Sequence, residues 1–473
     1  MVNIMNLEKY LKNKLGPSKD YIFKELIISK QKVTLIFNET LIDTTRTNDF
    51  ILRNLLNLSK KDLKYLENKL PNINVLKINN NYIDYLTKGF IIIITKKYTY
   101  AVEVRNVLDR GIQTIESELS ITGPKDSFTE TYNINISLIR KRIKSPDLYA
   151  ENIELGRITK TKIGILYMNN IAKKEIVKQI KNNLEKIDID GIIDSSYLKQ
   201  TLECKNNLFP TISLTERPDK ASMAILEGKV IIIVDMSPYA LILPSFLIDF
   251  FHTTDDYYQK SINTSFIRII RLFAFLVAVF TPALYISITT RNYNLIPLDL
   301  LLTLKAGRTF VPFPAYIEAL FMLICFEILK ESDLRMSSTT GSAVSILGGL
   351  ILGDAAVSAG IVSPIMIIVI AISSIASLTF SSIELGNALR NYKIILLILS
   401  TIFGINGLLV GTTILLYQLL TLKVFGIPYL NPIIPYEKNE IKDTIIKTNT
   451  LHPKRNSQLT HNINRGKYLW KNY

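Results

Sequence analysis

Two cysteines and three histidines in 473 residues leave little material for a metal centre or a disulfide framework. Cys204 and Cys325 fall in halves of different character, and His252, His452 and His461 are too scattered for a ligand set or a triad. No GxGxxG follows a strand-like run, and GxxxxGK[ST], HExxH and GxSxG do not occur. These absences exclude the common dinucleotide, P-loop, zinc-protease and esterase chemistries. The sequence therefore points to a non-enzyme with no catalytic, cofactor or metal residues. Residues 1–30 are polar and lysine-rich without an apolar centre, so no signal peptide is expected and the N-terminal half should stay in the cytosol.

Charge is also scarce over one long region. Lys and Arg number 56 against 41 Asp and Glu, a formal +15, yet charges nearly vanish from 272 to 422. Residues 272–290 form an uncharged run close to the ~20 residues needed to cross a bilayer. Arg268 and Arg271 precede it, as basic residues do on the cytoplasmic side of a first span. Further spans are expected at 312–329, as a hairpin within 336–383 turning near Gly360 to Pro364, and as one long span over 394–422. These make about five spans, with 295–304 a shorter candidate that leaves span parity open. Gly349 with Gly353, Ala356 with Gly360, and Gly407 with Gly411 are each four apart, the spacing of close helix contacts within or between subunits. Carboxylates in such a region face a polar interior or an interface. Glu318 and Asp354, with Ser345 and Ser358 as polar lining, are the candidates for an ion path. Against that role, Glu318 can snorkel or pair with Arg308, and Asp354 can sit at a hairpin turn.

The front half reads as alternating strands and helices, an α/β head of two small subdomains at 1–150 and 151–262, before a helical membrane domain at 263–422 and a basic, partly disordered tail at 423–473. Residues 89–95, 161–168 and 230–234 are strand-like runs. Ser127 and Glu130 have the spacing of a capping box ahead of an apolar stripe at Tyr132, Ile136, Ile139 and Ile143. Pro218 and Gly228 bracket another helix. The basic run from Arg140 to Lys144 lacks interleaved aromatics, so a solvated face or lipid headgroups account for it better than nucleic acid.

Several segments together resemble one family. They are Glu116-Ser-Glu118, Gly123-Pro-Lys125, Phe128-Thr-Glu130, Asn135 to Pro146 with Arg140 and Arg142, and Thr215-Glu216-Arg217-Pro218-Asp219-Lys220. Asp255-Asp-Tyr-Tyr258, Val311-Pro312-Phe-Pro314-Ala315 and Phe425 to Pro432 continue the pattern, so that residues 100–435 are similar to the A subunit of GerA-type spore germinant receptors. Lys125-Asp126-Ser127 departs from the family's usual Arg-Glu-Gly, and the first ninety residues match only in general character. The resemblance implies an integral protein of the spore inner membrane, partnered by a permease-like B subunit and a lipoprotein C subunit. It implies homo-oligomerisation into an ion-conducting channel that couples nutrient sensing by a partner to ion release. A non-conducting scaffold that clusters the nutrient-binding subunit is the alternative.

Overall fold

The computed structural model describes residues 4–29, 31–56, 58, 66, 75–78, 80–96, 98–104, 118, 120–204, 207–335, 348–349, 351–380, 382–436, 441–447 and 455–461. The chain divides into two compact units: Met1–Cys204, Thr211–Ser245 and Thr450–Tyr473 form one, and Lys205–Pro210 and Phe246–Asn449 the other.

The first unit carries two five-stranded sheets. Strands β1 (Tyr21–Ile28), β2 (Gln31–Asn38), β3 (Val75–Lys77), β4 (Phe90–Ile94) and β5 (Thr99–Glu103) order as β1-β2-β4-β5-β3. Strands β6 (Leu148–Leu155), β7 (Thr161–Met168), β8 (Ser213–Thr215), β9 (Val230–Val234) and β10 (Ala240–Leu243) order as β6-β7-β9-β10-β8. The two orders are the same when each sheet is counted from its own first strand. Every pairing is antiparallel, so the alternation of strands and helices does not build a parallel α/β sheet here. The helices repeat as well. In the first sheet, α1 (Ile4–Leu15) precedes β1, a helical segment α2 (44–56) follows β2, and α3 (Tyr82–Thr87) precedes β4. In the second, α4 (Tyr132–Arg142), α5 (Lys174–Glu185) and α7 (Pro218–Glu227) take those places, with α6 (Ser195–Leu202) added.

The apolar runs follow from burial on both faces. Ile91 and Ile93 of β4 join Val33 and Leu35 in one core, whereas Ile92 and Ile94 join Leu7 and Leu11 of α1 and Leu86 of α3 in the other. A strand covered on both sides shows no polar alternation. In the second sheet, Tyr132, Ile136 and Ile139 of α4 and Ala221, Ala224 and Ile225 of α7 cover the face presented by Ile231 and Ile233.

Four expectations change. The boundary at 150 cuts β6; the change of sheet falls instead between Glu103 and Tyr132. The Ser127/Glu130 box does not form, because α4 begins at Tyr132 with Thr131 as an uncapped N-cap. Its first backbone N–H is met from β9's end, where the Tyr132 N–H donates to Asp235 Oδ1 at 3.2 Å. Arg140 is not solvated: it is 1% exposed, and its Nε and Nη2 each reach Asp20 Oδ2 at 2.7 Å, tying the second repeat to the first. Nor is the whole tail loose. Leu459 and Thr460 are buried, Thr460 bridges Ala172, and the Lys173 N–H donates to the Leu459 carbonyl at 3.1 Å. As the sequence indicates, Pro218 opens α7 and Gly228, at φ +97°, closes it.

Among its described residues the second unit is helical apart from loops and a hairpin of Lys423–Val424 and Ile427–Pro428. Its helices are α8 (Ser261–Ile286), α9 (Leu298–Ala306), α10 (Ala315–Arg335), α11 (Pro364–Ser377), α12 (Ile383–Phe403) and α13 (Ile405–Thr421). Among the described residues, one helix is long and apolar enough to cross a membrane: α8 with its continuation to Arg291, of mean hydropathy 2.2. The turn expected near Gly360 is present, with Gly360 at φ +65° and Pro364 opening α11. The single span expected over 394–422 is instead two helices. α12 starts eleven residues earlier, at Ile383, and the chain reverses at Gly404, φ +62°. Only a residue without Cβ adopts that angle readily, and the Ile405 N–H beyond it donates to Asn292 Oδ1 at 3.0 Å. Residues 423–436 also belong to this unit, since Val424 and Tyr429 lie in its core with Phe209, Tyr392 and Leu419.

Arg140→Ala leaves the Asp20 carboxylate buried without its cation. It is expected to lower stability by roughly 3–5 kcal/mol in denaturant unfolding of the head signal. A loss below about 1 kcal/mol contradicts this role for the pair.

Candidate functional site

Glu318 sits on the first turn of α10, where the exposed prolines Pro312 and Pro314 end the preceding loop and the Pro314 carbonyl accepts the Glu318 N–H. Its side chain is fully buried. Oε1 meets Arg308 Nη2 at 2.8 Å, and Oε2 accepts from the Ser363 N–H at 3.0 Å and from Ser363 Oγ at 2.9 Å. One carboxylate thereby joins the loop after α9, α10 and the N-terminus of α11. Two donors of Ser363 and the Arg308 guanidinium satisfy a buried carboxylate that would otherwise be strongly disfavoured in this setting. The pairing with Arg308, one of two options read from the sequence, is the geometry found.

The other ion-path candidates lie apart. Asp354 and Ser358 are exposed on a π turn (Ile351–Ala355) and the short helix after it, and Ser345 lies outside the described residues. No hydrogen bond or ion pair joins Asp354 to Glu318 among the described residues. The glycines split by pair. A Cβ at Gly407 would strike the Leu399 carbonyl, and one at Gly411 would strike Leu396, so both are contacts of α13 on α12. Gly349 and Gly353 meet no described atom within 4 Å.

A second polar node, centred on Asp256, escapes a search for charges within apolar runs. Arg268 and Arg271, read from sequence as basic flanks of a span, are buried. Arg271 Nη1 and Nη2 reach the two carboxylate oxygens of Asp256 at 2.7 and 3.0 Å, and Arg268 Nε reaches Oδ2 at 3.3 Å. Arg268 also binds Asp443 at 3.0 Å, and Lys447 donates to the Asp256 carbonyl at 2.6 Å. Burial by itself would raise the Asp256 carboxyl, but the hydrogen bond and charge of Arg271, helped by Arg268, hold it below the ordinary range. His252, whose Nε2 lies 2.8 Å from the Thr444 carbonyl, is pushed down to about 4 by burial and by the Arg268 charge. The only sequence signal for this node is Asp255-Asp-Tyr-Tyr258, which gives no hint of partners nearly 190 residues away.

In the head, the Glu216 to Lys220 segment closes a third network. Arg217 is wholly buried. It forks onto Asp219 at 3.1 and 2.8 Å and donates to Ser120 Oγ at 2.5 Å and the Glu118 and Pro124 carbonyls at 3.2 Å. Glu216 Oε1 accepts the Glu118 N–H at 2.7 Å, and Lys220 pairs with Glu118 Oε1 at 2.6 Å. Asn135 holds both the N–H and the carbonyl of Thr129, Glu130 is exposed but accepts the Met236 N–H through its carbonyl, and Arg142 pairs with Asp126 at 2.6 Å. These residues lock the loop at 118–130 onto the second sheet. Among the described residues, no group of three His, Cys, Asp or Glu is placed to hold a metal ion.

The family described as Bacillus/Clostridium GerA spore germination protein matches residues 9–458. The chain belongs to that family. It is 35% identical to spore germination protein KA of Bacillus subtilis (strain 168), over 92% of this chain and 82% of the relative. It is 35% identical to spore germination protein GerQA of Bacillus cereus, over 92% and 88%, and 31% identical to spore germination protein B1 of Bacillus subtilis (strain 168), over 94% of each. A crystal structure of the N-terminal domain of the A subunit of the Bacillus megaterium spore germinant receptor GerK3 aligns with 29% identity and a TM-score of 0.39, over 50% of this chain and 92% of that one. The GerA match takes in all three polar nodes described above.

His252 makes the second unit acid-sensitive. With a folded-state value of about 4 against an ordinary 6.5, its neutral form stabilises the fold fully above about pH 6.5. That contribution is lost as pH falls toward 4, on the order of 2–3 kcal/mol. Asp256, also lowered, adds a loss at still lower pH. Thermal unfolding from pH 7 to 4 is expected to show this slope, and His252→Gln to flatten it; an unchanged slope excludes His252 as its source.

Proposed function

We propose that this chain is the membrane subunit of a nutrient germinant receptor, coupling nutrient sensing by a partner subunit to ion release and spore germination. The supporting observation is the surface of the second unit. Phe266 and Phe273 of α8, Ile324 of α10, Ile375 of α11, Ile398 of α12 and Tyr417 of α13 are each half exposed or more, and all but Ile398 exceed half. Water disfavours so many exposed large apolar groups, whereas lipid or neighbouring subunits accept them. On this reading the second unit is a polytopic membrane domain of the spore inner membrane. The head stays in the cytosol, and the permease-like B subunit and lipoprotein C subunit complete the receptor.

Ion release is assigned to a homo-oligomeric channel. Gly349 and Gly353, open on this chain, supply its subunit contacts, and Glu318, Asp354, Ser345 and Ser358 supply the ion path. A nutrient shifts the closed–open balance only by binding the two states with different affinity. The Arg308–Glu318–Ser363 node suits such a switch, because moving α10 against α11 separates a buried carboxylate from its donors. The second reading, a non-conducting scaffold that clusters the nutrient-binding subunit, is favoured by one feature: Glu318 is fully satisfied within its own chain.

Cation flux through liposomes containing the full chain separates the two. Glu318→Gln and Asp354→Asn are each expected to change conductance or selectivity at least several-fold, with a matching defect in germination. Flux and germination unchanged in both variants remove these residues from the path, and no flux from the unaltered oligomer favours the scaffold.

A further inference from the structure

Between α10 and α12 lies a cleft of about 410 Å³ that none of the roles above uses. Its walls are aliphatic along one side and charged at one end. Leu320, Ile324 and Ile328 are four residues apart on α10, so they form a single stripe about 12 Å long, and each is at least 40% exposed. At the charged end, Arg390 pairs with Glu327 at 3.4 Å, and Glu331 lines the rim. Lys393 differs from both. It is 4% exposed, lines the cleft, and has no hydrogen bond or ion pair among the described residues; the charges that act on it are those of Glu327 and Lys330. A buried ammonium without an acceptor is strongly disfavoured, and the cleft sets Lys393 beside a second cation, Arg390, whose own partner is Glu327.

We propose that this cleft binds one anionic phospholipid, its phosphate on Lys393 and Arg390 and an acyl chain along Leu320, Ile324 and Ile328. The chemistry required at the charged end is a phosphate oxygen that accepts from an ammonium and a guanidinium. The aliphatic stripe running from it selects a lipid over a free anion. The site rests on the membrane reading of the second unit, because a bilayer is what supplies the acyl chain beside α10 and α12. Such a lipid would bridge the two helices at the end where α12 carries its charges, and would stabilise one arrangement of α10 relative to α12 over others.

The full chain, purified in detergent, is offered an equal mixture of phosphatidylglycerol and phosphatidylcholine and analysed by native mass spectrometry. One retained phosphatidylglycerol is expected, at about tenfold preference, falling to parity in Lys393→Ala and persisting in Lys393→Arg, as the loss of one charge-assisted hydrogen bond implies. Should Lys393→Ala fail to fold, Arg390→Gln is expected to lower the preference in the same assay. Equal retention of phosphatidylglycerol by the variants overturns the site, and protection from thermal unfolding by inorganic phosphate alone, matching that by phosphatidylglycerol, overturns the lipid assignment. Carbonate extraction of membranes holding the chain separates the two levels. A chain that stays in the pellet yet shows no lipid preference refutes the cleft but not the membrane reading, whereas a chain that washes off refutes the reading itself.

Discussion

A guanidinium removed from water needs a carboxylate at bonding distance, and this requirement recurs at each junction of the chain. Arg140 with Asp20 joins the two repeats of the head, and Arg217 with Asp219 anchors the loop at 118–130. Arg271 and Arg268 gather the start of α8 around Asp256, while Arg308 reaches Glu318 between three helical segments. Removing one partner of such a pair leaves an uncompensated charge, so each pair specifies one arrangement of the elements it joins more than it adds net stability. The arginine fork matters at Arg217 and Arg271, where two nitrogens meet two carboxylate oxygens of one partner.

This distribution changes the meaning of the charged motifs. Read along the chain, Arg140, Arg268 and Arg271 look like surface charges, two of them placed as cytoplasmic flanks of a span. Folded, all three are interior. Conversely, in the second unit Asp354 is exposed and Lys393 lines a cleft without a partner among the described residues.

The repeated sheet order shows how the head uses one solution twice. An antiparallel sheet whose central strands are apolar throughout needs cover on both faces; in each repeat the helix before the first strand and the helix before the fourth cover one of them, and in the first repeat Ile51 and Leu55 of α2 pack on the other. The second repeat receives additional cover from the chain's C-terminal segment, which hydrogen-bonds at the start of α5 and places Thr460 against Gly228. That docking is consistent with few apolar residues: among the described residues of the segment Leu459 is the buried apolar one, and backbone hydrogen bonds at Leu459 and His461 help to hold it.

The amino-acid sequence by itself determined the strands at 90–94, 161–168 and 230–234, the bounds of α7, the turn at Gly360 and the polar/apolar division of the chain. Each depends on a local rule: the period of the apolar residues, a proline that opens a helix, a glycine that accepts positive φ. It also suggested Arg308 as a partner of Glu318, since ten residues are within reach of a loop. Only the tertiary structure decided that 394–422 bends at Gly404, that Asp235 and not Ser127 meets the first turn of α4, and that Asp256 collects partners from 268, 271 and 447. Those outcomes depend on groups brought together by packing, and neither the identity of a buried charge's partner nor the depth of its burial is encoded in the spacing of its neighbours.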